Sequence, residues 1–262
     1  MQRDIFSFLI FTMKFNSKIS VITVVFNSAS LLERTINSVL SQTYPYIEYI
    51  IVDGASTDGT LTIIEKYNSR IHKIISEKDK GIYDAMNKGL HNATGDYVLF
   101  LNAGDELYST STFQDVFSLS ANADVYYGNT KIMDEQGNEL GDRRHTPPKQ
   151  LTWKSFRYGM SVSHQSFIAN RFLCGNYKLQ YSIAADIDWV IRILKKSDTI
   201  ANTQLYISKF LEGGTSSKSA LKALKERFEI MVNYYGLFPT LVYHLFILIR
   251  FVIQKMMGQK MT

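Results

Sequence analysis

The sequence predicts an α/β fold: an αβα sandwich around a mostly parallel central sheet, followed by a helical amphipathic appendage at the C-terminus. Three observations carry this. Apolar runs of strand length alternate with helical stretches from Ile19 to Leu101. These runs are apolar at consecutive positions, the mark of strands covered on both faces. From Leu237 to Met257, apolar residues gather on one half of a helical wheel.

The elements follow in order. Ile19 to Val25, ISVITVV, is the first strand. Asn27 to Ser30 offer helix caps, and Leu31 to Gln42 reads as a helix with Leu32, Ile36, Val39 and Leu40 on one side. Tyr44-Pro45 ends it, and Tyr49 to Val52 is the second strand, stopped by Asp53-Gly54. Thr57 or Asp58 caps a helix over Thr60 to Tyr67. Ile71 to Ile75 is a third strand, Tyr83 to His91 a third helix and Tyr97 to Leu101 a fourth strand. This order predicts right-handed crossovers, with ligands at the carboxyl ends of the strands. Residues 1–17 read as an N-terminal tail, 18–215 as one large domain and 216–262 as a basic helical segment.

Composition narrows the partners. The net charge is +5, and from Lys218 onward seven Lys/Arg face two Asp/Glu, so the excess sits at the C-terminus. Basic residues do not interleave with aromatics elsewhere, which argues against nucleic acid and for an anionic membrane surface. In Leu237 to Met257, His244 and Arg250 would lie inside a spanning helix, so the stretch suits a helix lying in the membrane plane, with an apolar face docked on the domain core as the alternative. The single cysteine, Cys174, excludes an intrachain disulfide and reads as a small buried apolar residue. Ile5 to Met13 is too short to span a bilayer and has no small-residue cleavage site. Met13 is a second plausible start, so residues 1–12 are either a start-site artefact or a short tail.

Each strand ends in polar residues: Asn27, Asp53, then Glu77 and Asp79, then Asn102 and Asp105. One alone is a turn residue by default; four in succession at the ligand edge point to a site. LNAGDE, Leu101 to Glu106, is either an ordinary turn or a metal edge.

SVITVVFN, YIIVDGASTDGT, KGIYDAMNKGLHNATGDYVLFLNAGDE and AADIDWVIRI together resemble the family 2 glycosyltransferases of GT-A fold, over about Lys18 to Leu211. The likeness is to bacterial enzymes of exopolysaccharide, capsule or O-antigen synthesis. A dinucleotide-binding fold is a poor competitor, since the glycines after the first strand are missing. The resemblance implies that Asp53 bonds the base or ribose of a nucleotide-sugar, with Asn27 beside it and Asp79 as a further nucleotide contact. LNAGDE falls on the family's Asp-x-Asp motif. Asn102 replaces the first carboxylate and Gly104 the next acidic place, leaving Asp105 as the ligand of a divalent metal, Mg or Mn, and Glu106 as a turn acid. His164 is implied at the diphosphate, metal or sugar, against a purely structural role. Asp186 aligns with the family's general base, and Ala185 stands where a Glu precedes it. Asp186 and Asp188 otherwise read as helix-end acids, and Trp189 as core.

The expected activity is a metal-dependent inverting transfer. The donor is a nucleotide-sugar, with UDP favoured, and the acceptor a saccharide linked to a polyprenyl diphosphate, at the cytoplasmic face of the membrane. The replacements Asn102, Gly104 and Ala185 leave a catalytically silent nucleotide-sugar or glycan binder as the rival. A membrane-bound scaffold acting through its C-terminal segment is a second.

Overall fold

In the computed structural model, which describes residues 17–119, 122–143, 145–213 and 220–256, strand and helix alternate as the spacing predicts. The first half runs β1 (Ile19–Val25), α1 (Ala29–Leu40), β2 (Ile47–Asp53), α2 (Thr60–Lys66), β3 (Lys73–Ser76), α3 (Ile82–Asn92) and β4 (Tyr97–Phe100). Strands β3, β2, β1 and β4 lie side by side, all parallel. The chain leaves β1 toward β2 and β3 and returns to its other side as β4, so the switch point lies between β1 and β4. A crevice outside the carboxyl ends is expected there.

Boundaries differ from expectation for local reasons. Helix α1 starts at Ala29 because its N-terminus is capped from another loop: Asp58 Oδ2 accepts the Ala29 N–H at 3.1 Å. The same carboxylate accepts the Thr60 N–H at 3.0 Å, so one acid serves two helix starts. Strand β3 begins at Lys73, because the His72 N–H bonds back to Tyr49 O before the β2–β3 register is reached.

The second half is mixed. It contains β5 (Glu106–Leu107), α4 (Thr112–Leu119), β6 (Val125–Met133), β7 (Glu139–Asp142), β8 (Phe167–Asn170), α5 (Ala185–Leu194) and β9 (Ile200–Leu211). Strand β8 is antiparallel to both β4 and β6, while β9 runs parallel to β6 and extends the sheet to β5. Strand β7 folds back on β6 as a hairpin.

Core residues divide between the two sheet faces, as alternate positions of a strand must. Ile22, Val24 and Phe100 pack with Met86 of α3 and Trp189 of α5. Val21, Val25 and Leu99 pack with Leu32 and Ile36 of α1 and Phe113 of α4. A Cβ on Gly89 would meet Ile22 Cγ2 at 2.4 Å, so glycine lets α3 lie close on β1.

Two helices follow, α6 (Ala220–Tyr235) and α7 (Leu237–Met256), separated by Gly236 at φ +85°. The polar side of α7 faces the protein: Thr240 is fully buried, Tyr243 meets Tyr158 and Tyr235, and His244 meets Phe228. Leu241, Val242, Leu245 and Phe246 are 49–57% exposed. The apolar face is therefore not docked on the core over this stretch. Among the described residues, no helix is long and apolar enough to cross a membrane. Residues 1–16 and Lys218 and Met257, named in the sequence expectations, lie outside the described residues.

Candidate functional site

At the carboxyl ends of β1 and β2, two non-glycine residues hold left-handed backbone: Asn27 at φ 47° and Ala55 at φ 63°. Strain of this kind persists where neighbours enforce it and collects at functional sites. The Asn27 Oδ1 accepts the Thr57 N–H at 2.9 Å, and its own N–H bonds Ser56 Oγ at 2.8 Å. Asn27 thus ties the β1 exit to the loop after β2. Asp53 is fully buried and accepts from the Ser56 N–H at 3.1 Å and Ser76 Oγ at 2.7 Å.

Asp79 approaches from the loop after β3, where its Oδ1 accepts the Gly81 N–H. A Cβ on Gly54 would meet Asp79 Oδ2 at 2.5 Å and the Phe26 ring at 3.3 Å. Glycine keeps this spot open. Phe26 is 61% exposed, an aromatic face beside a carboxylate at the ligand edge. Sequence reasoning missed Phe26; a large aromatic placed one residue past a fully buried strand was the available signal.

The switch-point crevice holds three polar residues in a chain. His164 Nε2 lies 3.3 Å from Asn102 Nδ2, and His164 Nδ1 lies 3.4 Å from Asp186 Oδ2. Asn102 leaves β4, His164 sits in a turn before β8, and Asp186 opens α5. The fold brings these positions, distant in sequence, to one point. Asp186 also bonds the Ile187 N–H at 3.0 Å and lies 3.4 Å from Tyr83 Oη. Burial pushes the Asp186 carboxyl upward, but the hydrogen bond and charge of His164, the charge of Arg227 and the Ile187 N–H outweigh it. The net direction is down, so Asp186 is ionised and able to take a proton at neutral pH.

Asp105 is 4% exposed, and its two oxygens accept from Gln165 Nε2 at 2.7 Å and the Leu211 N–H at 3.0 Å. Burial raises its carboxyl to about 6. Both oxygens of Asp105, the expected metal ligand, thus already bond β9 and the turn carrying His164. LNAGDE is a tight turn, with the Asp105 N–H on Asn102 O at 3.0 Å and Gly104 at φ +101°. Glu106 pairs with Arg34, Arg34 Nε lying 2.7 Å away.

Among the described residues, no group of three or more His, Cys, Asp or Glu is arranged to hold a metal. Asn102 Oδ1 is, however, buried and without a hydrogen-bond partner. An amide oxygen beside the His164 imidazole fits a divalent ion whose other ligands come from a diphosphate.

The loop ahead of α5 is held from outside the sheet. Ala184, the α5 N-cap residue, makes no side-chain cap. Instead Glu226 of α6 accepts the N–H groups of Ser182, Ile183 and Ala184 at 2.8–2.9 Å. Glu226 is 6% exposed and was invisible to motif reasoning, since its partners lie more than 40 positions away. Asp188 is structural, as its helix-end reading implied, bonding Lys178, Arg192 and Tyr234. Trp189 is core, with its Nε1 donating to Gly175 O at 2.8 Å. Cys174 is half-buried, and burial pushes its thiol up to about 12, which keeps it unreactive.

The family model described as glycosyl transferase family 2 matches residues 20–180. The chain is 32% identical over 182 residues to a PGL/p-HBAD biosynthesis glycosyltransferase of Mycobacterium bovis, covering 66% of this chain and 68% of that protein. It is 28% identical over 214 residues to TuaG of Bacillus subtilis, a glycosyltransferase assigned to teichuronic acid biosynthesis, covering 79% and 84%. Two solved structures share the fold. One is TarS of S. aureus with UDP-GlcNAc, at TM-score 0.64, 22% identity and coverage of 81% and 64%. The other is the mannosyltransferase PcManGT of Pyrobaculum calidifontis with GDP-Man and Mn²⁺, at TM-score 0.63, 17% identity and coverage of 89% and 70%. The chain belongs to glycosyl transferase family 2 and is a glycosyltransferase.

Proposed function

We propose that this glycosyltransferase carries out an inverting transfer from a nucleotide-sugar to a lipid-linked saccharide, in the synthesis of a surface polysaccharide. The observation that carries the reading is the Asn102–His164–Asp186 chain at the switch point, with Asp186 held ionised. The relatives named for teichuronic acid and PGL synthesis support the pathway class.

In this reading the nucleoside lies over Phe26 and Gly54, with Asp79 Oδ2 accepting from base or ribose. Asp53 supports this floor from beneath through Ser56 and Ser76, and Asn27 braces the same loop. Asp186 takes the proton of the acceptor hydroxyl as its oxygen forms a bond to the anomeric carbon. The bond from that carbon to the diphosphate oxygen breaks on the opposite face, and the nucleoside diphosphate leaves with both electrons. His164 holds Asp186 in place. Asn102 Oδ1 and His164 would hold a divalent ion, Mg or Mn, which supplies charge neutralisation at the diphosphate when bound. The bound nucleotides of the structural neighbours, UDP-GlcNAc and GDP-Man, leave the base open; UDP is the favoured donor nucleotide.

The exposed face of α7, with Leu241, Val242, Leu245 and Phe246, supports the reading of an enzyme that works on a membrane surface, at its cytoplasmic side. Exposed Lys222 and Lys225 on α6 add attraction to anionic lipid.

A thermal-shift screen of UDP- and GDP-sugars, with and without Mn²⁺, tests the donor class, because a ligand of the folded state raises the midpoint. A rise with a nucleotide-sugar supports the reading, and none with any donor opposes it. Flotation with anionic liposomes tests the surface. The wild type should float and a Leu241→Glu/Leu245→Glu variant should stay in solution; equal partition of the two sinks the membrane proposal.

A further inference from the structure

Arg143 follows directly on β7, anchored by its N–H on Thr130 O at 3.2 Å. Arg143 lines a cleft of about 200 Å³ together with Asn129, Thr130, Asp142, Ser163 and Tyr206. Arg143 Nη1 is buried and has no hydrogen-bond partner. Arg227, on the α6 turn next to Glu226, is exposed and within electrostatic reach of both Arg143 and Asp186.

Asp186 attracts both Arg143 and Arg227. The nearby acids are taken: Asp142 pairs with Lys131 and Tyr206, Asp105 with Gln165 and Leu211, and Glu226 with three backbone N–H groups. Burial and the like charge of Arg227 both depress the Arg143 guanidinium, and Asp186 opposes them. A buried guanidinium nitrogen without an acceptor is unfavourable unless a ligand supplies one. Planar guanidinium forks match phosphate oxygens, and Asp142, the acid in the lining of this cleft, is already paired with Lys131 and Tyr206.

We propose that Arg143 and Arg227 form a diphosphate subsite beside Asp186, distinct from the nucleoside floor at Gly54. This rests on the reading of Asp186 as the base. Two substrates carry that chemistry: the donor, and a saccharide linked through a diphosphate to its lipid. The position favours the acceptor, because the cluster is built from the β7 exit and α6, and α6 leads into the exposed apolar face of α7.

The test uses the full chain as wild type, Arg143→Gln and Arg143→Lys, with thermal midpoints measured to verify folding. Titration calorimetry is run with UDP, with GDP and with a short-chain prenyl diphosphate. Arg143→Gln should weaken one class by about 10- to 100-fold, the effect of losing charge-assisted bonds to phosphate. Arg143→Lys should recover part of that loss. Loss confined to the prenyl diphosphate assigns the subsite to the acceptor, and loss confined to UDP and GDP assigns it to the donor. Affinities within about twofold of wild type for all three, with folding intact, overturn the subsite. Donor turnover by the wild type is recorded alongside. Its absence would count against the transfer reading, while the diphosphate titrations would still report on Arg143.

Discussion

Glu226 accepts the Ala184 N–H at 2.9 Å, two residues before Asp186. A carboxylate on α6 therefore caps the helix that presents Asp186, the proposed base, doing from 42 positions away what an N-cap side chain does locally. The contact couples the C-terminal helices to the reaction centre. Glu226→Gln keeps the side-chain shape but trades charge-assisted bonds for weaker ones. Its kcat should fall about 10-fold with donor affinity unchanged, and Glu226→Ala should fall further, about 100-fold, by displacing the loop. Steady-state kinetics with calorimetric donor binding read the split. A fall in donor affinity with kcat intact would remove Glu226 from this role.

The raised carboxyl of Asp105 has a stability consequence of definite sign. Its folded value of about 6 lies above the ordinary carboxylate value, so between about pH 4 and pH 6 the folded state binds more protons than the unfolded state. Its contribution therefore declines as pH rises through that window, by roughly 1–3 kcal/mol. Asp105→Asn should lack this decline. Denaturant unfolding of both proteins from pH 4 to pH 7 isolates the difference; parallel curves would mean that Asp105 is not held protonated by burial.

Metal affinity should respond to Asn102 and not to Gly104. Asn102→Asp places a charged oxygen where the buried, unpartnered Oδ1 sits, and should tighten Mn²⁺ binding about 10-fold or more in the presence of nucleoside diphosphate. Gly104→Asp should instead destabilise the fold by about 1–3 kcal/mol, because φ is +101° and Leu211 Cδ2 would lie 2.8 Å from the new Cβ. Tighter Mn²⁺ binding in Gly104→Asp alone would return the metal edge to the turn.

Phe26 should carry base stacking. Phe26→Ala is expected to weaken nucleoside diphosphate binding by about 1–3 kcal/mol without altering the fold, since the ring is 61% exposed. Unchanged affinity in calorimetry would assign the nucleoside elsewhere.

How much of this was legible depended on sequence distance. Strands β1, β2 and β4 and helices α1 and α3 could be read directly, because their apolar periodicity and turn residues are local. The strand-end positions Asp53 and Asn102 and the helix-start Asp186 could be singled out through motif order, and the fold brings Asn102 and Asp186 to one point through His164. For Asp105, spacing gives the residue and not the direction of its side chain, which bonds Gln165 and the Leu211 N–H. Its neighbour Gly104 looked like a lost ligand when it is the residue that lets the turn close. Glu226, which holds the loop before Asp186, was out of reach, as were Arg143 and Arg227, since β7 and α6 come together by tertiary packing that no local pattern encodes.

The central claim is that Asp186 takes the acceptor proton. Its most direct test is kcat of Asp186→Asn at saturating donor and acceptor, with donor binding measured on the same protein. Asparagine keeps the shape and removes the basicity, so kcat should fall by about 10²- to 10⁴-fold while donor affinity holds. A variant that keeps more than about a tenth of wild-type kcat would contradict the assignment of Asp186 as the base.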